Sequence, residues 1–275
     1  MKLYKLAPIC GVLLLAMAAS SCDRLKARDH LNKGVQSYRN AQFQPAIMHF
    51  KEAVRLDPSL LNARLYLATA YAQQYVPGGE SPENKKIAAD AIAAFEDVLK
   101  MDTGNSAAST TALASIAQIY YSMKKFDDAK KYNQRRIEIE PNNPEPYYWI
   151  GVLDWAIAFP LTQGVRTEHN ISQPNPKGEL PPIPANLRKD LAEKNGPLVD
   201  EGLKALNKAI DLKPNDADSM VYLNLMYRQK AEIETDDDAR QADLKQAEDW
   251  VNKALAARKA GTAHGSSEAA PSASQ

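Results

Sequence analysis

Between His30 and Pro58 two stretches of helical periodicity follow one another across a short polar break, and the arrangement returns, with interruptions, four more times. Two short antiparallel helices cannot bury their apolar faces alone, so a chain of this kind must stack each pair on its neighbours. In the first copy Gly34 lets the second helix approach the first closely, and Ala46 and Ala53 are small for the same reason. Phe43 and Phe50 fill the space between the helices. Pro58, after Arg55-Leu56-Asp57, cannot continue the second helix and sets the turn into the next pair.

The second copy opens at Leu61 with Leu67, Ala68 and Tyr71, and closes with Ala91, Phe95 and Val98. Between these halves Gln73–Asn84, carrying Pro77, Gly78, Gly79 and Pro82, reads as an extended loop. The third copy has Leu113, Ile116, Ala117 and Tyr120, then Phe126, Ala129, Tyr132 and Pro141; its Asn133 and Arg136 depart from the apolar pattern and predict a loosely packed helix. The fourth opens with Tyr147, Ile150 and Gly151, and its second helix is expected over 198–212. The intervening 158–196 holds Pro160, Pro174, Pro176, Pro181, Pro182 and Pro184, a density that argues for an excursion or lid with a short helix over 185–194. The fifth has Met220, Leu223 and Tyr227, then resumes at Ala247, Trp250 and Ala254 after an acidic insertion; Asn224 stands where a small residue is expected and needs a hydrogen-bond partner if buried.

Gly34, Tyr38, Phe43, Ala46, Phe50, Ala53 and Pro58 stand where the tetratricopeptide repeat places its small, aromatic and terminating residues, and the chain resembles that family over Ala27–Lys259. Periodicity by itself gives only helical hairpins and leaves another helical solenoid or an irregular bundle open. The resemblance implies an all-α fold, a right-handed superhelix of about five helix pairs whose first helices line a concave groove. It also implies a protein partner in that groove, met by Arg39, Gln73, Gln118, Tyr121, Tyr148, Trp155 and Arg228 from the first helices. Aromatic and arginine side chains most often dominate binding energy at interfaces. Family members that clamp the carboxylate tails of chaperones use a Lys and an Asn in the first helix; Leu31 and Val35 stand there, so that ligand is not expected.

At the amino terminus Lys2 and Lys5 precede an apolar run, Leu6–Ala19, which leads into Ser20-Ser21-Cys22. This resembles a bacterial lipoprotein signal, cut before a cysteine that is diacylated. The resemblance implies that 1–21 are a signal peptide, Cys22 the lipidation site and 22–28 a tether. It places the chain in the cell envelope, facing the periplasm, with inner and outer membrane both open. The repeat domain is expected over 29–259 and a disordered tail over 260–275, rich in Ala, Ser and Gly. The only cysteines are Cys10 and Cys22, so processing leaves the repeat domain no thiol for a disulfide, a zinc cluster or a nucleophile.

Lys and Arg number 34, as do Asp and Glu; without Lys2 and Lys5 the balance is 32 basic against 34 acidic residues. That balance leaves no basic stripe for nucleic acid. There is no GxSxG, no phosphate-cradling glycine loop and no CxxCH, so no nucleotide, cofactor or catalytic residue is expected. His49 and Glu52 share a helical face and read as solvated surface rather than a metal site, and Asp236-Asp237-Asp238 reads as negative charge at a helix start. The expected function is therefore that of a non-enzymatic, lipid-anchored scaffold. The alternative is an envelope enzyme whose site, under the 158–196 insertion, uses Asp154, Glu168 and His169.

Overall fold

The computed structural model describes residues 7–101, 106–176 and 180–267. Among them are ten α-helices and no strand, divided between two compact units, Met1–Lys124 and Lys125–Gln275. The division falls inside the third sequence copy. Residues 1–6 of the expected signal and 268–275 of the expected tail lie outside the described residues.

The first unit contains α1 (Ala7–Arg39), α2 (Phe43–Leu56), α3 (Leu61–Ala72), α4 (Pro82–Leu99) and α5 (Ser106–Ser122). Each helix packs on the next, and α3 also meets both α1 and α5, which is the pattern of stacked pairs. The small residues explain the approach of α2 to α1: a Cβ on Gly34 would lie 2.5 Å from the ring of the fully buried Phe50. Ala46 and Ala53 are also fully buried. The turn after α1 uses Ala41 in the left-handed region, with its N–H donating to the Tyr38 carbonyl and that of Gln42 to Ser37, a pair of bonds that satisfies the last carbonyls of a helix. The stretch expected to be a tether is instead helical, since α1 runs unbroken across 22–28 and buries Ala27 against the unit.

Of the loop expected over Gln73–Asn84, 73–81 is irregular, as Pro77, Gly78 and Gly79 imply, whereas Pro82–Asn84 form the first turn of α4 and Asn84 holds the loop. The Asn84 amide accepts from the Val76 N–H at 2.8 Å and donates to the Val76 and Gly79 carbonyls, while Ser81 caps α4 by accepting the Asn84 N–H. One buried amide thus satisfies three backbone groups of a segment with no ladder of its own.

The second unit contains α6 (Phe126–Ile139), α7 (Pro144–Glu168), α8 (Ala185–Leu212), α9 (Ala217–Ile233) and α10 (Asp237–Ser267). The proline-dense excursion is much shorter than 158–196. Helix α7 runs through Pro160 and α8 starts at Ala185 and runs through Pro197, leaving 169–176 and 180–184 irregular among the described residues. A proline inside a helix costs about 3 kcal/mol, which local composition alone makes decisive. Here packing offsets it, because both extensions bury side chains: Ala158, Thr162 and Arg166 on α7, and Leu191, Asn195 and Val199 on α8. A polar cluster ties these extensions to α9. The Thr162 hydroxyl donates to Gln229 Oε1 at 2.7 Å and accepts from Asn195 Nδ2 at 3.0 Å, and Asn195 also donates to the Ala158 carbonyl.

Asn133 and Arg136 do not loosen α6. Both are buried and paired: Asn133 donates to the Ala129 carbonyl, and Arg136 donates to Asn133 Oδ1 and to Glu145 at 2.7 Å, joining α6 to α7. Asn224 finds its partner in Arg228, which donates from Nε at 3.0 Å. Asp236 accepts the Ala239 N–H at the start of α10, which places Asp237 and Asp238 in its first turn as expected. Helix α10 starts at Asp237, well before Ala247, and reaches Ser267, so the first part of the expected tail is helical.

Candidate functional site

Helices α7 and α9, the first helices of the fourth and fifth pairs, pack on each other and set the aromatic residues of the second unit side by side. Close approach on their other side depends on Gly151, where a Cβ would collide with the buried side chain of Leu206 on α8. Tyr148 and Trp155, seven residues apart and so on one face of α7, both meet Tyr222 of α9 edge-on, with ring centroids 5.6 and 5.8 Å apart. Trp155 also stacks on Phe159 one turn further on, at 4.9 Å and 21°. Their inner edges rest on Val199, Leu206, Leu223 and Met226, while Phe159 is 37% exposed. The result is an aromatic strip with a buried foundation.

Of the groove residues expected from sequence, Tyr148 and Trp155 are brought together through Tyr222. Arg228 joins them less directly: it and Phe159 line one cavity of about 390 Å3 that adjoins the far end of the strip. Arg39, Gln73 and Gln118 are exposed and Tyr121 is half-buried; all four belong to the first unit, on or just after α1, α3 and α5. Cys22 is exposed on α1. Sequence reasoning missed Tyr222 and Phe159. Aligning Ile150-Gly151 with Leu223-Asn224 puts Tyr222 one residue beyond the place matching Tyr148, and the helical spacing from Trp155 to Phe159 was hidden by reading Pro160 as a boundary.

The alternative catalytic set is not assembled. Asp154 lies mid-helix and fully buried, whereas Glu168 and His169 lie at the end of α7, about 21 Å away along the helix axis at 1.5 Å per residue. Asp154 is instead held by Lys130 of α6, whose ammonium also reaches Glu201 of α8 at 3.1 Å. Burial pushes the Asp154 carboxyl up to about 7; Lys130 opposes that shift and Glu201 adds to it. Its Oδ2 has no hydrogen-bond partner. An ion cluster of this kind, linking three helices with its Asp154 end buried and its Glu201 end open to solvent, organises packing. Among the described residues no group of three or more His, Cys, Asp or Glu could hold a metal ion, and His49 lies with its Nδ1 3.2 Å from that of His30 rather than paired with Glu52, whose partner is Arg55.

Residues 110–143 match the tetratricopeptide repeat family. Among solved structures, a crystal structure of MamA aligns with 83% of this chain and 96% of its own at 16% identity and a TM-score of 0.52. MamA 41-end from Desulfovibrio magneticus RS-1 aligns with 86% of this chain and 96% of its own, also at 16% identity and 0.52. YrrB, described as a TPR protein with an unusual peptide-binding site, covers 84% of this chain and 90% of its own at 17% identity and 0.48. No curated protein matches the sequence. The likeness is one of fold: all-α and tetratricopeptide-like, helix pair stacked on helix pair.

Proposed function

We propose that the chain is a non-enzymatic, lipid-anchored scaffold of the bacterial cell envelope that holds a protein partner on the aromatic strip of α7 and α9. The observation that carries the binding role is the juxtaposition of Tyr148, Trp155 and Tyr222, part-exposed rings preorganised on a packed core, with the exposed Phe159 stacked on Trp155. Rigid aromatic side chains bind at low entropic cost, and partners docked on them gain most of their affinity from a few such anchors. Anchoring rests on the basic start, the apolar run and Cys22, which is exposed and accessible to acylation. Among the described residues no helix is long and apolar enough to cross a membrane. Work in outer-membrane assembly, pilus biogenesis or polysaccharide export suits such a scaffold.

The test is affinity capture from crosslinked envelopes with the full chain, followed by binding measurements on the purified partner. Tyr148→Ala and Trp155→Ala should each weaken binding by about 30-fold, from about 2 kcal/mol per truncated hot spot, and the double variant by more than either, with helicity retained by circular dichroism. Lys51→Ala with Lys131→Ala, at exposed positions on α2 and α6, is the matched control. Equal losses in both variants would reject the aromatic strip as the binding surface.

A further inference from the structure

The cavity beyond Phe159 has a charge that the rest of the chain lacks. Its wall carries four arginines, Arg166, Arg188, Arg228 and Arg240, against a single lining carboxylate, Glu232. Arg166, whose side chain is 2% exposed, is neutralised within the fold: it donates to both Glu232 oxygens and to the carbonyls of Ile171 and Pro181, and only its Nε lacks a partner. The other three are not neutralised in this way. Arg188, 10% exposed, donates to the Glu234 carbonyl and shares the exposed Asp237 with Arg240, each at 3.7 Å, beyond hydrogen-bond reach. Nε of Arg188 and of Arg240 is buried with no hydrogen-bond partner. Arg228 bonds only the Asn224 amide among the described residues.

Counting Asp237 with Glu232, the recess retains an excess of two positive charges. Buried guanidinium N–H groups without acceptors are costly, and a carboxylate would satisfy them in the bidentate geometry that arginine favours. The remainder of the wall is apolar, with Phe159, Ile183 and Leu244 among its members, and suits the methylenes of an acidic side chain. Phe159 belongs to both the aromatic strip and this wall, so a peptide lying on the strip reaches the recess without a break.

We propose that this cavity binds the carboxylates of an acidic peptide segment, with Arg188, Arg228 and Arg240 as the anion ligands. The proposal deepens the scaffold reading, on which it rests, by naming the chemistry of the partner. One side of the site is made by the extensions of α7 and α8 and by the 180–184 segment, outside the ordinary length of a repeat, and the other by α9 and the start of α10.

The experiment uses the full chain and three probes: a blocked peptide Ac-Phe-Glu-Glu-Glu-amide, its Phe-Gln-Gln-Gln counterpart, and inorganic phosphate, each titrated by calorimetry. The Glu peptide should bind at least tenfold more tightly than the Gln peptide and weaken as salt is raised. Arg228→Gln with Arg240→Gln should cost it tenfold or more at unchanged helicity, and Arg228→Gln alone, at an exposed position, should still cost severalfold. Equal binding of the two peptides, or binding unaffected by both variants, would overturn the proposal. Phosphate binding without peptide binding would also overturn it, marking a site for free anions. Partner capture is scored separately with the Tyr148 and Trp155 variant. Absent peptide binding with capture dependent on the strip defeats the cavity alone; capture indifferent to the strip defeats the scaffold reading.

Discussion

Gly34→Ala tests the packing logic of the first pair at one atom. The added Cβ would lie 2.5 and 2.6 Å from Cε1 and Cδ1 of Phe50 and 3.1 Å from Cζ, where ordinary contact begins near 3.4 Å. The ring has little room to retreat. It is fully buried, stacked on Tyr66 at 5.6 Å and 14°, and surrounded by Ala46, Ile47 and Ala70. Overpacking of this sort costs about 1–3 kcal/mol, while alanine gains about 1 kcal/mol over glycine in a helix interior, so the net effect should be a loss of about 0–2 kcal/mol.

That narrow range makes the single variant a weak test and the double-mutant cycle a strong one. Phe50→Leu removes the ring edge at a cost of about 1–2 kcal/mol, and in that background Gly34→Ala should become stabilising, since only the helix gain of about 1 kcal/mol remains. The coupling should therefore amount to about 1–3 kcal/mol. Amide exchange over 43–56 is the assay, because it reads the local stability of α2 without assuming that the whole chain unfolds in one step. If Gly34→Ala stabilises α2 equally with and without the Phe50 ring, the glycine is not there to admit it, and the reasoning fails.

Two further predictions address the ion cluster and the anchor. The Asp154 carboxyl, raised by burial to about 7 from an ordinary 3.8, is protonated in the folded chain and ionised in the unfolded chain between those values, so the stability of the second unit should fall as pH rises through that window. The drop is on the order of 4 kcal/mol at most. All three tryptophans lie in this unit, so urea unfolding followed by their fluorescence at pH 5 and pH 8 reads it, and Asp154→Asn should flatten the difference. Stability rising between these pH values would contradict the assignment; the carboxylates held low, such as Asp57 and Asp216, lose their contribution only below about pH 4. Cys22→Ser should release the chain from membranes almost completely, and radiolabelled fatty acid still entering that variant would refute lipidation at this residue.

The features legible in the sequence are those where one residue type answers one steric demand. Gly34, Gly151, Ala46 and Ala53 marked the close approaches, and each is a buried or near-contact position in the structure. Tyr148 and Trp155 could be placed on one helical face from their spacing alone. What failed were inferences from local cost. Asn133 and Arg136 looked unfavourable because their partners, Ala129 aside, could not be assigned from periodicity: Glu145 stands across a turn in the next helix. Asp154 with Lys130, and Thr162 with Gln229, are separated by 24 and 67 residues, and nothing in the spacing of either pair announces it.

The proline-dense region shows how such a cost is overridden and what the override makes possible. Pro160 and Pro197 each remove a helical hydrogen bond, yet stopping α7 and α8 there would expose the Thr162, Asn195 and Gln229 cluster and strip Arg166 of its surroundings. Five of the six prolines in 158–196 do fall between α7 and α8, where Asn170 closes α7 in the left-handed region that asparagine tolerates. Arg166 then fixes that segment at both ends, through the Ile171 and Pro181 carbonyls, and ties it to Glu232 of α9. The prolines stiffen the strap and the buried guanidinium holds it down. Leu180, Pro182 and Ile183, held beside the extended helices, close one side of the arginine-lined recess, which helices of ordinary repeat length would leave without that wall.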